Sequence, residues 1–201
     1  MITRLKNKMY KELPLKITNI EFEEVLCYSK KIKYYCKQEN HNNIYTSAGL
    51  SYIEHSDSPE LDVIDELYNK SANLNVNNFI LKNDIPNNII NVINKVSLGF
   101  KTSKIRFSCL FKGITIPWHV DYNCENITRV HLPVFTTDKC FYYYKNDNKR
   151  IIRGNLKFGK FYALDTNYEH CIKNDSNIDR VHLIINVNTS FKNYINNLNL
   201  E

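Results

Sequence analysis

The sequence has no CxxC pair among its six cysteines and no internal repeat, and no apolar run approaches the roughly 20 residues that cross a bilayer. Its first ten residues are polar and basic and lack the apolar segment of a secretory signal. These absences argue against a disulfide framework and a membrane span. We therefore expect a cytoplasmic, intracellular protein with reduced thiols.

The chain also lacks a cluster of basic residues. Its 27 Lys and Arg against 21 Asp and Glu give a formal net charge of +6, but these residues are scattered along the sequence. Scattered charge is typical of a solvated surface, whereas a nucleic-acid groove concentrates Lys and Arg. Nucleic acid is a possible partner but not a favoured one.

Residues 1–99 show mainly helical periodicity. Three helices are predicted. The first is capped by Asn19 and runs through Phe22, Val25 and Leu26 toward Cys36. The second starts at Ser58-Pro59-Glu60, and the third starts near Pro86, has Ile89, Ile90, Ile93 and Val96 on one side and stops before Gly99. Tyr45 to His55 is predicted to form two paired strands that turn near Gly49, and the asparagine-rich segment 73–78 to form a loop.

After Gly99 the pattern changes to short runs rich in Ile, Val, Phe, Tyr and Thr, each bounded by Gly, Asn, Asp or Pro. The predicted strands are Ile105–Phe111, Thr128–Phe135, Cys140–Lys145, Arg150–Arg153, Lys157–Leu164 and Arg180–Val187. We predict a mainly β fold with flanking helices, formed as one domain over residues 1–201. Residues 100–190 are predicted to form an antiparallel double-stranded roll. Residues 1–99 are predicted to form a helical, mixed buttress that also supplies part of the substrate pocket. A final short helix, Phe191 to Leu198, is expected to pack on the outside.

Three residues form a candidate metal site. His119 and Asp121 are two apart at a predicted strand end, so their side chains project to the same side. His170, 51 residues later, precedes the last predicted strand and supplies a second imidazole. Two histidines and one carboxylate compose the facial triad that holds divalent iron and leaves three positions open. The alternative is that His119 and Asp121 form only a hydrogen-bonded surface pair.

Basic residues near this triad indicate an anion site. Arg180 lies ten residues after His170, and a guanidinium pairs with a carboxylate in a bidentate manner, so Arg180 could hold the far carboxylate of a dicarboxylic co-substrate. Arg129 and His131 share one face of a predicted strand, where two buried basic groups require an anion. In the alternative interpretation, Arg129 pairs with a nearby acid and His131 is a core residue.

Four other features are ambiguous from sequence alone. Trp118 is either a wall of the pocket or a core or rim aromatic, and His182 either assists carboxylate binding or is a core histidine. Cys171 adjoins His170, but on an extended backbone its thiol points away from the metal. Tyr142–Tyr144 is assigned mostly to sheet packing.

Several of these residues together resemble the aspartyl/asparaginyl β-hydroxylase family of 2-oxoglutarate oxygenases. The resemblance spans roughly Ile105 to Val187 and consists of Phe107-Ser108, His119-x-Asp121, Arg129-x-His131-x-Pro133-Val134, the segment Gly159–Asp165, His170 and Arg180. Members that act on free amino acids, such as the proline cis-hydroxylases, keep the HxD carboxylate, which some hydroxylases of peptidyl Asp or Asn lack. Asp121 therefore favours the former as the closer relatives.

The resemblance implies a double-stranded β-helix, or jelly roll, of the cupin-like kind, with iron(II) at His119, Asp121 and His170. It further implies that Arg180 binds the 5-carboxylate of 2-oxoglutarate, and that Ser108, Arg129 and His131 line the co-substrate site. The implied reaction uses dioxygen to hydroxylate an unactivated C–H bond of an amino acid or peptidyl residue, releasing succinate and carbon dioxide.

The sequence is compatible with three other functions. A cupin metal protein that is not an oxygenase would use His119, His131 and His170 as three imidazole ligands, although such a site has no need for Arg129 and Arg180. A nucleobase-modifying 2-oxoglutarate oxygenase would combine a basic groove with aromatic stacking platforms. An inactive relative would serve as an interaction protein.

Overall fold

The computed structural model describes residues 9–35, 45–54, 79–121 and 124–198. The strands within these ranges are β1 (Tyr10–Glu12), β2 (Tyr45–Gly49), β3 (Ser51–Ile53), β4 (Phe79–Leu81), β5 (Thr102–Leu110), β6 (Thr115–His119), β7 (Thr128–Phe135), β8 (Cys140–Lys145), β9 (Ile151–Gly154), β10 (Tyr162–Leu164), β11 (His170–Asn174) and β12 (Arg180–Val187). The helices are α1 (Asn19–Lys31), α2 (Asn87–Ser97) and α3 (Phe191–Asn197), with a 3₁₀ turn at Cys124–Asn126. None of these described helices is long and apolar enough to cross a membrane.

Two antiparallel sheets form the roll. The larger has six strands in the order β1-β10-β7-β12-β5-β2, and the smaller has four in the order β6-β11-β8-β9. Strands β3 and β4 pair separately. The predicted fold class, a mainly β jelly roll with helices beside it, is confirmed.

The central strand β12 shows how the sheet is layered. Its alternate side chains Val181, Leu183, Ile185 and Val187 belong to the hydrophobic core that also contains residues of all three helices. The intervening side chains, which include Arg180 and His182, therefore face the opposite way, into the roll. All eight residues of β12 are buried, so the polar ones lie in a protein interior.

The helices cover the outer face of the six-stranded sheet. Val25 of α1 and Ile89 of α2 are fully buried in the shared core. The closing helix α3 lies outside the roll, as expected, and is fixed by Tyr194, which is fully buried and donates a hydrogen bond from its hydroxyl to the Val96 carbonyl. The third predicted helix is confirmed by α2, which ends where Leu98 adopts the left-handed conformation before Gly99.

The two predicted strands within Tyr45 to His55 exist, but they do not pair with each other. Strand β2 pairs with β5 and β3 pairs with β4. Leu50, between them, is fully buried, and its main-chain N–H donates to the Ile105 carbonyl. The chain therefore passes from one sheet to the other at Leu50 instead of reversing at Gly49, and His55 lies outside the described residues.

Most strand boundaries after Gly99 agree with prediction to within three residues. The exception is the predicted strand Lys157–Leu164, of which only Tyr162–Leu164 is extended in a sheet. The earlier part turns at Gly159, whose φ of +69° is favourable for glycine. The patterns did not predict β1 and β4, which have three residues each, or β11.

The first helix begins at a different cap from the one predicted. Thr18, not Asn19, is the N-cap: its side-chain oxygen accepts from the Glu21 N–H while Glu21 accepts from the Thr18 N–H. Glu21 Oε2 also accepts from the Lys95 ammonium of α2, with Nζ 2.9 Å away. The capping residue Glu21 therefore also links α1 to α2. The helix ends at Lys31, short of Cys36. Cys36, the helix predicted from Ser58 and the loop 73–78 lie outside the described residues.

Thr18→Ala is expected to lower the free energy of unfolding by about 1 kcal/mol, because the Glu21 N–H loses its acceptor. Asn19→Ala is the matched control, since Asn19 is exposed and is the first helical residue; its effect should stay within about 0.5 kcal/mol. Urea unfolding of both variants measures the difference. A larger loss for Asn19→Ala would contradict the assignment of Thr18 as the cap.

Candidate metal centre and anion site

The pairing of β6 with β11 brings His119 and His170 together. The two residues are direct partners in the antiparallel register, and their ring centroids are 4.2 Å apart. Residues facing each other across two strands project to the same side of the sheet. The sheet therefore fixes both imidazoles, although 51 residues separate them in sequence.

Asp121 completes the cluster from the segment just beyond β6. Its main-chain N–H donates to the Thr166 carbonyl at 3.3 Å, which holds the segment beside the roll. One carboxylate oxygen is 3.6 Å from His119 Nε2 and the other is 3.8 Å from His170 Nε2. The ligand atoms all lie within 4.8 Å of one another, so these three residues could hold a metal ion.

Main-chain hydrogen bonds select the imidazole tautomers that a metal requires. His119 Nδ1 is 2.7 Å from the Pro117 carbonyl oxygen, and His170 Nδ1 is 2.9 Å from the Tyr168 carbonyl oxygen. A carbonyl only accepts, so each Nδ1 carries the proton and each Nε2 presents a lone pair. Metal-binding histidines are commonly oriented by such a bond. Both Nε2 atoms are the ones nearest Asp121.

The electrostatics favour the charge states of a metal site. Burial alone would raise the pKa of Asp121, but Arg129 and the two histidines outweigh it, and the pKa lies below its usual value. Burial lowers the pKa of His170, against the opposing effect of Asp121. The site thus combines an ionised carboxylate with a neutral His170 imidazole, the forms that bind a divalent cation.

Arg129 contacts the Asp121 carboxylate of the candidate metal site directly. Its Nη1 forms an ion pair with Asp121 Oδ2, and the side chains are 15% and 4% exposed. The sequence had left open whether Arg129 faces a bound ligand or pairs with a nearby acid, and in this structure its partner is Asp121. A buried guanidinium beside a candidate metal ligand fixes the position of the carboxylate and supplies a counter-charge.

A second group of basic residues lies on β12 and β7. Arg180 is buried, and its Nη2 is 2.9 Å from His182 Nδ1, which is 3.1 Å from His131 Nδ1. Burial lowers the pKa of Arg180 to about 10. Burial, together with the neighbouring arginines, also holds the pKa of both histidines well below 6.5, so they are neutral at physiological pH.

The remaining residues predicted for the site occupy different places. Ser108 is half-buried on β5 and is the register partner of His182, so it lies on the same face of the sheet as Arg180 and His182. Trp118 is 37% exposed, and the Lys145 ammonium lies 4.8 Å from its ring centroid. Because Trp118 and His119 are consecutive residues of a strand, the Trp118 side chain faces away from the three candidate metal ligands. Cys171 likewise alternates with His170, and its thiol is not among the converging ligand atoms.

The sequence left the role of His182 open and favoured sheet packing for Tyr142, but both side chains face the interior of the roll with Arg180. All three residues line one small cavity. The alternation of Arg180 and His182 along a strand was a usable signal for His182. Alternation along the strand set Tyr142 apart from Tyr143 but not from Tyr144.

A protein-family comparison shows which family the chain belongs to. A family model described as aspartyl/asparaginyl β-hydroxylase matches residues 75–189, more than half of the chain. The chain belongs to this hydroxylase family. The match includes all seven candidate site residues, and the family resemblance predicted from the motifs is confirmed. No curated protein sequence matches the chain.

Solved structures with the same fold include other oxygenases. A 2OG-Fe(II) oxygenase family oxidoreductase from Burkholderia pseudomallei aligns with a TM-score of 0.63 at 10% identity, over 90% of this hydroxylase and 86% of that chain. A Trichoplax adhaerens prolyl hydroxylase, in complex with a peptide fragment of the hypoxia inducible factor oxygen degradation domain, aligns with a TM-score of 0.53 at 13% identity, over 92% and 86%. At these identities the likeness shows a shared fold.

Proposed function

We propose that this protein is an Fe(II)- and 2-oxoglutarate-dependent hydroxylase in which His119, Asp121 and His170 hold the iron. The observation that carries the proposal is the convergence of two imidazole Nε2 atoms and one carboxylate within 4.8 Å. Cis ligands of a six-coordinate ion with bonds of about 2.1 Å lie about 3 Å apart. The three ligand atoms therefore need to move only slightly closer to one another to coordinate such an ion. His131 is hydrogen-bonded to His182 and does not join these ligand atoms, which disfavours the three-histidine cupin alternative.

The co-substrate site is proposed to extend from the metal cluster toward Arg180, whose guanidinium would hold the distal carboxylate of 2-oxoglutarate. Ser108 and His131 lie on the same face of the six-stranded sheet and would line this site. When bound, iron and 2-oxoglutarate together activate dioxygen, place one oxygen atom in a substrate C–H bond and release succinate and carbon dioxide with the other.

The protein's own part is orientation and exclusion of water. The backbone carbonyls of Pro117 and Tyr168 fix the two imidazoles, and Arg129 fixes the Asp121 carboxylate. His170 is 2% exposed, so the cluster lies largely away from solvent on that side. The proposed substrate is a free amino acid or a peptidyl residue, and residues 1–99 are proposed to supply part of its pocket.

The test is anaerobic addition of Fe(II) and then 2-oxoglutarate, followed by visible absorption. Chelation of Fe(II) by a 2-oxo acid is expected to give a charge-transfer band in the wild-type protein and none in His119→Ala, which has lost one of three ligands. Succinate release on addition of candidate amino acids and peptides then identifies the substrate class. Iron binding without a band would contradict the oxygenase proposal and favour a metal protein of another kind.

A further inference from the structure

A cleft between β1 and α3, here named the β1 cleft, follows one edge of the six-stranded sheet. Strand β1 is the last strand on that side and pairs only with β10 among the described strands. The cleft has a volume of about 800 Å³, which is within the range of ligand-binding clefts. The residues that line it come from β1, β10, α3 and residues 155–157, and none of them is a candidate metal or co-substrate residue.

The main chain of β1 is unpaired on the side of this cleft. The Met9 carbonyl and the Leu13 N–H, at the two ends of β1, both form hydrogen bonds with the chain that flanks β10. Because hydrogen bonding alternates along an antiparallel pair, the N–H and C=O groups of Tyr10 and Glu12 point away from β10. None of these four groups has a hydrogen-bond partner in the part of the chain that the structure describes. The edge is therefore open to a further strand.

Both faces of β1 contribute walls to the β1 cleft. Lys11 is the register partner of Ala163, which belongs to the hydrophobic core that also contains residues of α3. Tyr10 and Glu12 alternate with Lys11, so their side chains lie on the opposite face, yet all three residues line the cleft. Side chains of an added strand would alternate between the same two faces. The form of the cleft therefore matches an extended peptide.

The charge of the β1 cleft is positive. Lys11, Lys157 and Lys192 line it, and Glu12 is the one acid among the lining residues that the structure describes. The Glu12 carboxylate already accepts from the Lys160 ammonium at 2.6 Å. Lys157 and Lys192 are exposed and form no ion pair within the described ranges. An acidic ligand would therefore complement the cleft.

A second copy of this chain fits the edge less well than an acidic strand does. Pairing of β1 with β1 of another copy would bring the same lysines together, and like charges that face each other across two strands are destabilising. Lysine on an edge strand is a common means of preventing such self-association. The same lysines attract a strand that carries Asp or Glu.

We propose that the β1 cleft binds an extended acidic peptide segment of a partner protein, which adds to the six-stranded sheet as a seventh strand. Main-chain hydrogen bonds to Tyr10 and Glu12 supply affinity, as in other complexes formed by strand addition. Lys11, Lys157 and Lys192 select for Asp and Glu side chains. The inference does not depend on the proposed hydroxylase function, because it uses no residue of the metal cluster.

The experiment measures binding of fluorescein-labelled peptides to the full chain by fluorescence anisotropy at low salt. The acidic probe alternates Glu and Val over about seven residues, slightly more than a common strand length, and the basic probe has Lys in place of each Glu. We expect the acidic probe to bind at least about tenfold more tightly than the basic one, because only its charge complements the cleft. Equal binding of the two probes would contradict the proposal.

Charge reversal locates the binding site. Lys157→Glu/Lys192→Glu is compared with Lys101→Glu/Lys139→Glu, which changes the net charge equally at exposed lysines outside the cleft. The first pair should weaken binding of the acidic probe by at least about tenfold, and the second by less than about twofold. Equal weakening by both pairs would mean that the probe responds only to the net charge of the protein, and the β1 cleft would not be its site.

Glu12→Pro tests the addition of a strand. The Glu12 N–H points toward the cleft, so proline removes a donor from the edge without removing a bond to β10. Glu12→Ala is the matched control, since it loses the same carboxylate and keeps the N–H. Glu12→Pro should bind the acidic probe about 3- to 10-fold more weakly than Glu12→Ala, as for one lost hydrogen bond.

A modified probe gives an independent test on the wild-type protein. An acidic probe with every amide N-methylated keeps its charges but has no N–H to donate, so it should bind at least about tenfold more weakly than the unmodified probe. Unchanged affinity of this probe, or equal affinities of Glu12→Pro and Glu12→Ala, would overturn strand addition and leave only a surface that attracts anions.

Discussion

His170→Ala is expected to abolish metal binding and hydroxylation together. The imidazole is 2% exposed, and its Nε2 faces the Asp121 carboxylate at 3.8 Å. Mutation of a residue that only orients a metal ligand lowers metal affinity by about 10- to 100-fold. Removal of the ligand itself should therefore lower the metal affinity by more than about 100-fold. Calorimetric titration with Zn(II) or anaerobic Fe(II) measures affinity directly, independently of any substrate.

Cys171→Ala is the matched control for this prediction. Cys171 is the next residue of β11, is buried and has a free thiol, but its side chain points to the other face of the sheet. Its replacement should preserve metal affinity within about twofold while causing a modest loss of packing. If the two variants lost metal affinity equally, His170 would be a structural residue and the proposed triad would be wrong.

Arg129→Met is expected to make the stability of the fold depend strongly on metal. Without metal, the variant leaves the Asp121 carboxylate, 4% exposed, without the guanidinium that pairs with it. Removal of one partner of a buried ion pair costs about 3–5 kcal/mol. A divalent cation bound to Asp121 replaces the lost positive charge, so the loss should be much smaller when metal is saturating.

Urea unfolding with a chelator and with excess Zn(II) distinguishes the two states of this variant. Arg153→Met serves as the control, because Arg153 is exposed and stacks on Phe141 at the surface, and its effect should stay within about 0.5 kcal/mol in both conditions. An equal loss for Arg129→Met with and without metal would show that Arg129 stabilises the fold through contacts other than the Asp121 pair.

The convergence of His119, Asp121 and His170 was predictable because its signals are local or periodic. An HxD at a strand end places His119 and Asp121 on one side, and the strand pattern that follows His170 locates it next to the sheet. The family resemblance added Ser108 and the order of the motifs. What sequence patterns could not supply is the strand register that places His170 opposite His119.

The residues that prediction missed depend on contacts between distant segments. Alternation along β8 indicates which tyrosines face inward. It does not indicate that the Tyr142 hydroxyl has no hydrogen-bond partner among the described residues while the Tyr144 hydroxyl accepts from the Met9 main-chain N–H. Arg129 had two possible partners, and only the folded chain shows that one is Asp121. The cap at Thr18 was missed because Asn19 is an equally good capping residue type.

The order of strands in the larger sheet has a consequence for biosynthesis. Strand β12 is the last of the described strands, yet it lies between β7 and β5 and joins them. Until residues 180–187 have left the ribosome, β5 and β7 each present an unpaired edge, and such edges invite pairing with other chains. The roll therefore cannot close until β12 has been synthesised, and the edges of β5 and β7 stay open between the synthesis of β7 and that of β12.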